Sequence, residues 1–183
     1  MTQEAQMKEI ESGLVPAEPG WFVVNVRDAA WMTAEGLGWG CTFEQFPPGK
    51  ASFEQLGINI RVLEPGQPAA MYHAEPGQEA FLVLSGECLA IIDEQERILK
   101  AWDFVHCPPG TPHVLVGSGD GPCVILMVGA RGKDGEVSFP FSEAASRHGA
   151  GVESETQTRQ EAYAKYGSPK PARPASWEEL PWS

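Results

Sequence analysis

From Leu56 to Val128 the chain is a succession of short apolar runs cut apart by Gly, Pro and Asp. That rhythm leaves few architectures open. The stretch GINIRVLEPG reads as a strand with Ile58, Ile60 and Val62 on one face, since strand side chains alternate, and it stops at Pro65-Gly66. AFLVLSGE is the next strand, ended by Ser85-Gly86. CLAIIDEQERIL reads as a hairpin: apolar Cys88 to Ile92, a charged turn at Asp93 to Glu96, then Ile98 and Leu99. Asp103 to Cys107 is a short strand before a proline turn, HVLVGSGDGP is strand then loop, and Cys123 to Val128 is the last strand. Strands at this interval, with turn residues between them, favour a sandwich or barrel over alternating α/β units. FLVL and VILMV are apolar on both faces, which suits a two-sheet jelly roll whose outer face is partly covered. The expected fold is all-β.

The flanks read differently. Met1 to Gly13 is polar apart from Ile10, and fits a short helix or a disordered arm. Trp21 to Val26 is β-branched and aromatic, hence a strand. Asp28 to Gly40, with Gly36, Gly38 and Gly40, reads as irregular; its tryptophans would cover an open end of the core or form a subunit contact. Pro47-Pro48-Gly49 marks a turn. After Ala130 the strand pattern stops. A loop leads to a short helix at Glu143 to His148 and a longer one at Glu153 to Tyr166, ended by Gly167. The last stretch is proline-rich, but Trp177, Leu180 and Trp182 argue that it docks, on its own barrel or on a second subunit. This divides the chain into an N-terminal extension (1–55) lending one or two strands, a barrel (56–130) and a C-terminal extension (131–183).

Composition excludes some partners. A net charge of -12 repels the phosphates of nucleic acid and an anionic membrane surface. No apolar run approaches the ~20 residues of a membrane helix, and the N-terminus lacks the basic and apolar regions of a secretory signal, so the expected compartment is the cytoplasm. Cys41, Cys88, Cys107 and Cys123 show no C-x-x-C spacing and read as reduced, mostly buried thiols. Cys107, just before a turn, would be a soft ligand or redox-sensitive neighbour only if it faced a cavity.

The chemistry gathers beside the turns. His73 and Glu75 are two apart in a segment that reads as a strand, so both face one way. Pro76-Gly77 turns the chain, and Glu79 opens the next apolar run. Pro108-Pro109-Gly110 makes a second turn before His113. Singly, each has a duller reading: solvated turn carboxylates, a core histidine bonded to a carbonyl. Together, two imidazoles and two carboxylates give a ligand charge of -2, and nitrogen and oxygen donors without thiolate suit one divalent ion, Zn, Fe, Mn or Ni. A loosely held Glu79 would serve as a catalytic proton acceptor. His106 and His148 rank lower, and Tyr72 turns to the opposite face. Phe81, Trp102 and Phe104 would line a pocket or, more commonly, pack a core.

These residues resemble the two motifs of the cupin superfamily. Gly66, His73, Glu75, Glu79 and Gly86 fall at the first motif's positions, with the family's six residues between Glu79 and Gly86. Pro108, Gly110 and His113 fall at the Pro-x-Gly-x-x-His of the second. Four positions depart: Glu75 replaces a histidine, the Gly66–His73 spacer is one residue longer, Trp102 stands where a glycine opens the second motif, and Gly117 replaces its closing asparagine. The resemblance covers Ile58 to Ala130. It implies one double-stranded β-helix (the jelly-roll cupin barrel), a metal at these positions, and a small-molecule substrate, since its members include dioxygenases, isomerases and decarboxylases. It also implies a homodimer, because single-barrel cupins commonly pair edge strands. A non-catalytic cupin that holds a metal or metabolite for sensing, storage or stability is the alternative.

Overall fold

A computed structural model describes residues 3–44, 52–132 and 135–182; the Pro47-Pro48-Gly49 turn lies outside them. The apolar runs form the strands their spacing predicts: β5 (Leu56–Leu63), β6 (Glu79–Ser85), β7 (Glu87–Ile92), β8 (Gln95–Lys100), β9 (Phe104–Cys107), β10 (His113–Ser118) and β11 (Cys123–Ala130). β7 and β8 form a hairpin in which Ile92 pairs with Gln95. Its turn is Asp93-Glu94 alone, both residues at positive φ (48° and 62°), the conformation that matches the right-handed twist of the flanking strands.

Two sheets face one another. The smaller has the order β10-β7-β8. The larger has seven strands and takes in pieces of both extensions: β3 (Ala30–Thr33), β4 (Trp39–Thr42) and β12 (Lys170–Pro171) extend it in the order β12-β3-β4-β5-β11-β6-β9. The result is an all-β, double-stranded β-helix.

Asp28 to Gly40 is therefore not irregular. AWMT and WGCT are strand-forming runs, and Gly36 (φ +84°) turns the chain between them. Gly38 and Gly40 are there for close approach: an added Cβ would come within 2.2 Å of Leu63 Cδ2 and 2.8 Å of Arg61 Nη1. The first residues are a hairpin rather than a helix or loose arm, β1 (Met7–Ile10) pairing with β2 (Gly13–Pro16). WFVVNV is not a strand: only Trp21 bridges, to Glu4, and Val23 is exposed. Asn25 breaks the run, its carbonyl accepting from the amides of Asp28 and Ala29.

The C-terminal extension holds α1 (Glu143–Arg147), N-capped by the Ser142 hydroxyl, and a single turn of helix, α2 (Arg159–Ala162). α2 is shorter than its composition predicts because Thr156 exchanges both backbone hydrogen bonds with Phe139, which holds it extended. The tail docks on its own chain. Trp177 and Leu180 are buried with Trp31, Ile60 and Val62, and Trp182 packs against Trp31.

Strand alternation on β5 and β11 makes two cores. Ile60, Val62 and Val124 face outward, under the tail and the N-terminal strands. Leu63, Cys123 and Ile125 face inward, with Phe81, Val83 and Leu115. All four cysteines are free and buried. Among the described residues no helix is long and apolar enough to cross a membrane.

Candidate metal centre

The second proline turn and the backbone bring the two histidines face to face. His73 N–H donates to His113 O at 3.1 Å and His113 N–H to His73 O at 2.9 Å, an isolated antiparallel rung rather than a continuous strand at His73. Their rings lie 5.0 Å apart. Gly110, at φ +77°, lets the turn fold back so that its amide reaches Glu75 O at 2.8 Å. Glu79 opens β6, one strand across from Gly129 of β11. An added Cβ at Gly129 would lie 3.4 Å from Glu79 Oε1, so this glycine leaves the carboxylate room.

The hydrogen bonds set the tautomers. His73 Nδ1 is 2.8 Å from Met71 O, and His113 Nδ1 is 2.9 Å from Thr111 O. A carbonyl only accepts, so each Nδ1 carries the proton and each Nε2 presents a lone pair. Burial lowers the pKa of His73 to about 3, helped by His113, and burial also lowers that of His113. Both rings are neutral at pH 7.

Glu79 completes the group. Its Oε2 is 3.3 Å from His113 Nε2, is buried, and has no hydrogen-bond partner among the described residues. One ligand atom from each of His73, Glu79 and His113 lies within 4.8 Å of the others. Three acceptors thus converge with no donor between them, an arrangement that suits a cation. Burial, then the charge of Glu75, pushes the Glu79 carboxyl up to about 7, so a proton competes for the same place.

Glu75 stands apart from that group. Its Oε1 is 3.9 Å from His73 Nε2 but 2.8 Å from Arg159 Nη2 of α2. Arg159 is a residue the sequence does not point to, because nothing local brings a helix 84 residues away over the turn. Cys107 faces the inner core, its thiol pushed up to about 11 by burial, and is not in the group. His106 is exposed, and His148 pairs with Glu96 on the surface. Tyr72 packs on the opposite side with Leu89 and Val114, as alternation requires. Phe81 packs beside His113, its ring tilted and 5.1 Å away, whereas Trp102 and Phe104 are exposed.

The group opens on a cavity of about 360 Å³ between the sheets. The cavity also contains Asn59 and Arg61 from β5, and Tyr163 beside α2. Sequence reasoning missed these. Reading Ile58, Ile60 and Val62 as the buried face of β5 is correct for Ile60 and Val62, yet the polar alternates are the ones that face the cavity.

The sequence of the central strands and the two-sheet fold both match known proteins. The cupin domain family matches residues 59–129. Residues 59–129 of this chain are thus a cupin domain. An RmlC-like cupin from Shewanella frigidimarina superposes with a TM-score of 0.50 at 14% identity, over 61% of this chain and 91% of that one. A polyketide cyclase from Streptomyces resistomycificus gives 0.51 at 15% identity, over 62% and 81%. A putative sugar phosphate isomerase from Acidithiobacillus ferrooxidans is 26% identical with a TM-score of 0.42; the match covers 46% of this chain and 55% of that protein's length. No curated protein matches the chain.

Proposed function

We propose that this cupin is a metal-dependent enzyme of the oxidoreductase or isomerase type, acting on a small organic molecule, with His73, Glu79 and His113 holding one divalent ion. The observation that carries the reading is the buried, partnerless Oε2 of Glu79 facing two imidazole lone pairs. The donor set fits Fe, Mn, Ni or Zn. When bound, such an ion would supply Lewis-acid or redox chemistry toward a carbonyl or enol oxygen of the substrate.

The chain's own residues do the rest. The Met71 and Thr111 carbonyls hold the imidazoles in the ligating tautomer, a role outer residues commonly play at metal sites. Arg159 draws the Glu75 carboxylate aside, which leaves three ligands rather than four and so an open position, the mark of catalytic over structural sites. Glu79, if loosely held by the metal, is the group to accept a proton from substrate. Phe81 and Met127 give the cavity an apolar stretch of wall. The test is turnover by the metal-loaded protein across enols, diketones and flavonoid-like substrates, with O₂ uptake followed. Silence in both Fe²⁺ and Mn²⁺ forms would return the protein to the non-catalytic reading.

We also propose a homodimer, in the cytoplasm, where four buried free thiols stay reduced. β8 and β9 are edge strands of their sheets, and Ile98, Trp102 and Phe104 are exposed beside them. Trp102 is 75% exposed and strained at φ +75°. A bulky residue kept there in place of glycine suits a contact surface.

A further inference from the structure

Three arginines line the cavity, and two are already paired. Arg131 is held by the Glu44 carboxylate, and Arg159 by Glu75. The Arg61 side chain has neither hydrogen bond nor ion pair among the described residues. Half-buried, it lines the cavity, and its guanidinium runs across the space that Gly40 leaves by lacking a side chain. It is close enough for its charge to be felt at His73.

Two further groups beside it lack partners. The Tyr163 hydroxyl accepts from Met71 N–H at 3.1 Å, and its own proton has no acceptor among the described residues. Asn59 Oδ1 is buried and without a partner. A half-buried guanidinium left without a counter-charge is unfavourable, and two donors with one acceptor define what is missing: an anionic group for Arg61 and Tyr163, and a hydroxyl donor for Asn59. One free cation and one phenol balance a single negative charge, a carboxylate rather than a phosphate. The cavity, about 360 Å³, is at the small end of ligand pockets.

We propose that the Arg61 end of the cavity is a carboxylate subsite, in which Arg61 and Tyr163 hold the carboxylate of a small hydroxy acid, Asn59 accepts its hydroxyl proton, and the remainder faces His73, Glu79 and His113. This names the substrate class of the site proposed above and rests on that reading only for the last clause. Tyr163 comes from the C-terminal extension, so the subsite is assembled by the extension and β5 together.

Saturation-transfer NMR with glycolate, which has one carboxylate and one hydroxyl, tests it on the full-length protein. Glycolate is expected to bind the wild type, its neutral methyl ester not to bind, and Arg61→Met to weaken glycolate at least tenfold. Tyr163→Phe, a milder change, is expected to weaken it about threefold. His113→Ala is expected to keep glycolate while losing metal, so failure of the metal reading and failure of the subsite are distinguishable. No glycolate signal in the wild type, equal binding of the ester, or binding retained in Arg61→Met but lost in His113→Ala would overturn the subsite. Displacement of glycolate by an equal concentration of inorganic phosphate would overturn its assignment to a carboxylate.

Discussion

Glu79 is the residue on which the chemistry turns, because it is asked to be both buried and charged. Its pKa rises from 4.5 to about 7, chiefly through burial. A folded-state value above the unfolded one means that the folded protein binds the proton more tightly. Metal-free stability therefore falls as pH rises from 4.5 to 7, and a shift of this size is worth up to about 3 kcal/mol. Glu79→Gln cannot ionise. In urea titrations of metal-free protein the variant should match the wild type near pH 4 and exceed it by roughly 2–3 kcal/mol at pH 8. The depressed His73 pKa acts in the opposite sense between about 3 and 6.5, but it is common to both proteins and cancels in the comparison. The same proton opposes a cation: metal affinity should drop about tenfold per pH unit below 7, read by competition with a chelator. A pH-independent affinity between 5 and 7 would remove Glu79 from the ligand set.

Single elements show what alternation and glycine do together. β10 carries Gly117 where the second cupin motif closes with asparagine. A Cβ there would lie 2.2 Å from the Glu64 carbonyl oxygen, a backbone atom that cannot step aside. Gly117→Asn should cost more than about 2 kcal/mol in a denaturation curve. On β5 the period of two was legible, and so were both its faces. What period alone does not say is which face meets the cavity. Only the docking of Trp177 and Leu180 over Ile60 and Val62 settles that, and it turns Asn59 and Arg61 inward. The gathering of His73, Glu79 and His113 was legible because tight turns leave a local signature: Pro108, Gly110 and His113 are neighbours in sequence. Arg159 and Tyr163 were not, since they reach the site through packing of a short helix whose sequence reads as an ordinary solvated one. The strands at Ala30 and Trp39 were hidden for a different reason. Their glycines serve close approach, and close approach is invisible until the neighbour is known.

At the scale of the molecule, the extensions are structural partners of the central jelly roll. The tryptophan cluster of Trp31, Trp177 and Trp182, with ring centroids 5.5 Å apart in each pair, fastens the tail to the outer face of the larger sheet. Trp177→Ala should lower stability by about 3–5 kcal/mol, seen as an earlier urea midpoint. At the opposite edge, Trp102→Gly should relieve a left-handed backbone worth about 1–2 kcal/mol while breaking the proposed dimer. Light scattering on the wild type should give twice the 19.8 kDa chain mass, and the variant one chain mass. A wild-type monomer would instead leave Trp102 as strain without a contact.

The proposed chemistry rests on one claim, that His73, Glu79 and His113 hold a metal ion. Elemental mass spectrometry on the native protein and on His113→Ala tests it most directly. The account predicts close to one divalent ion per chain in the native protein and its loss in the variant. Native protein that stays metal-free when offered Fe²⁺, Mn²⁺ and Zn²⁺, or a variant that keeps its ion, would contradict it.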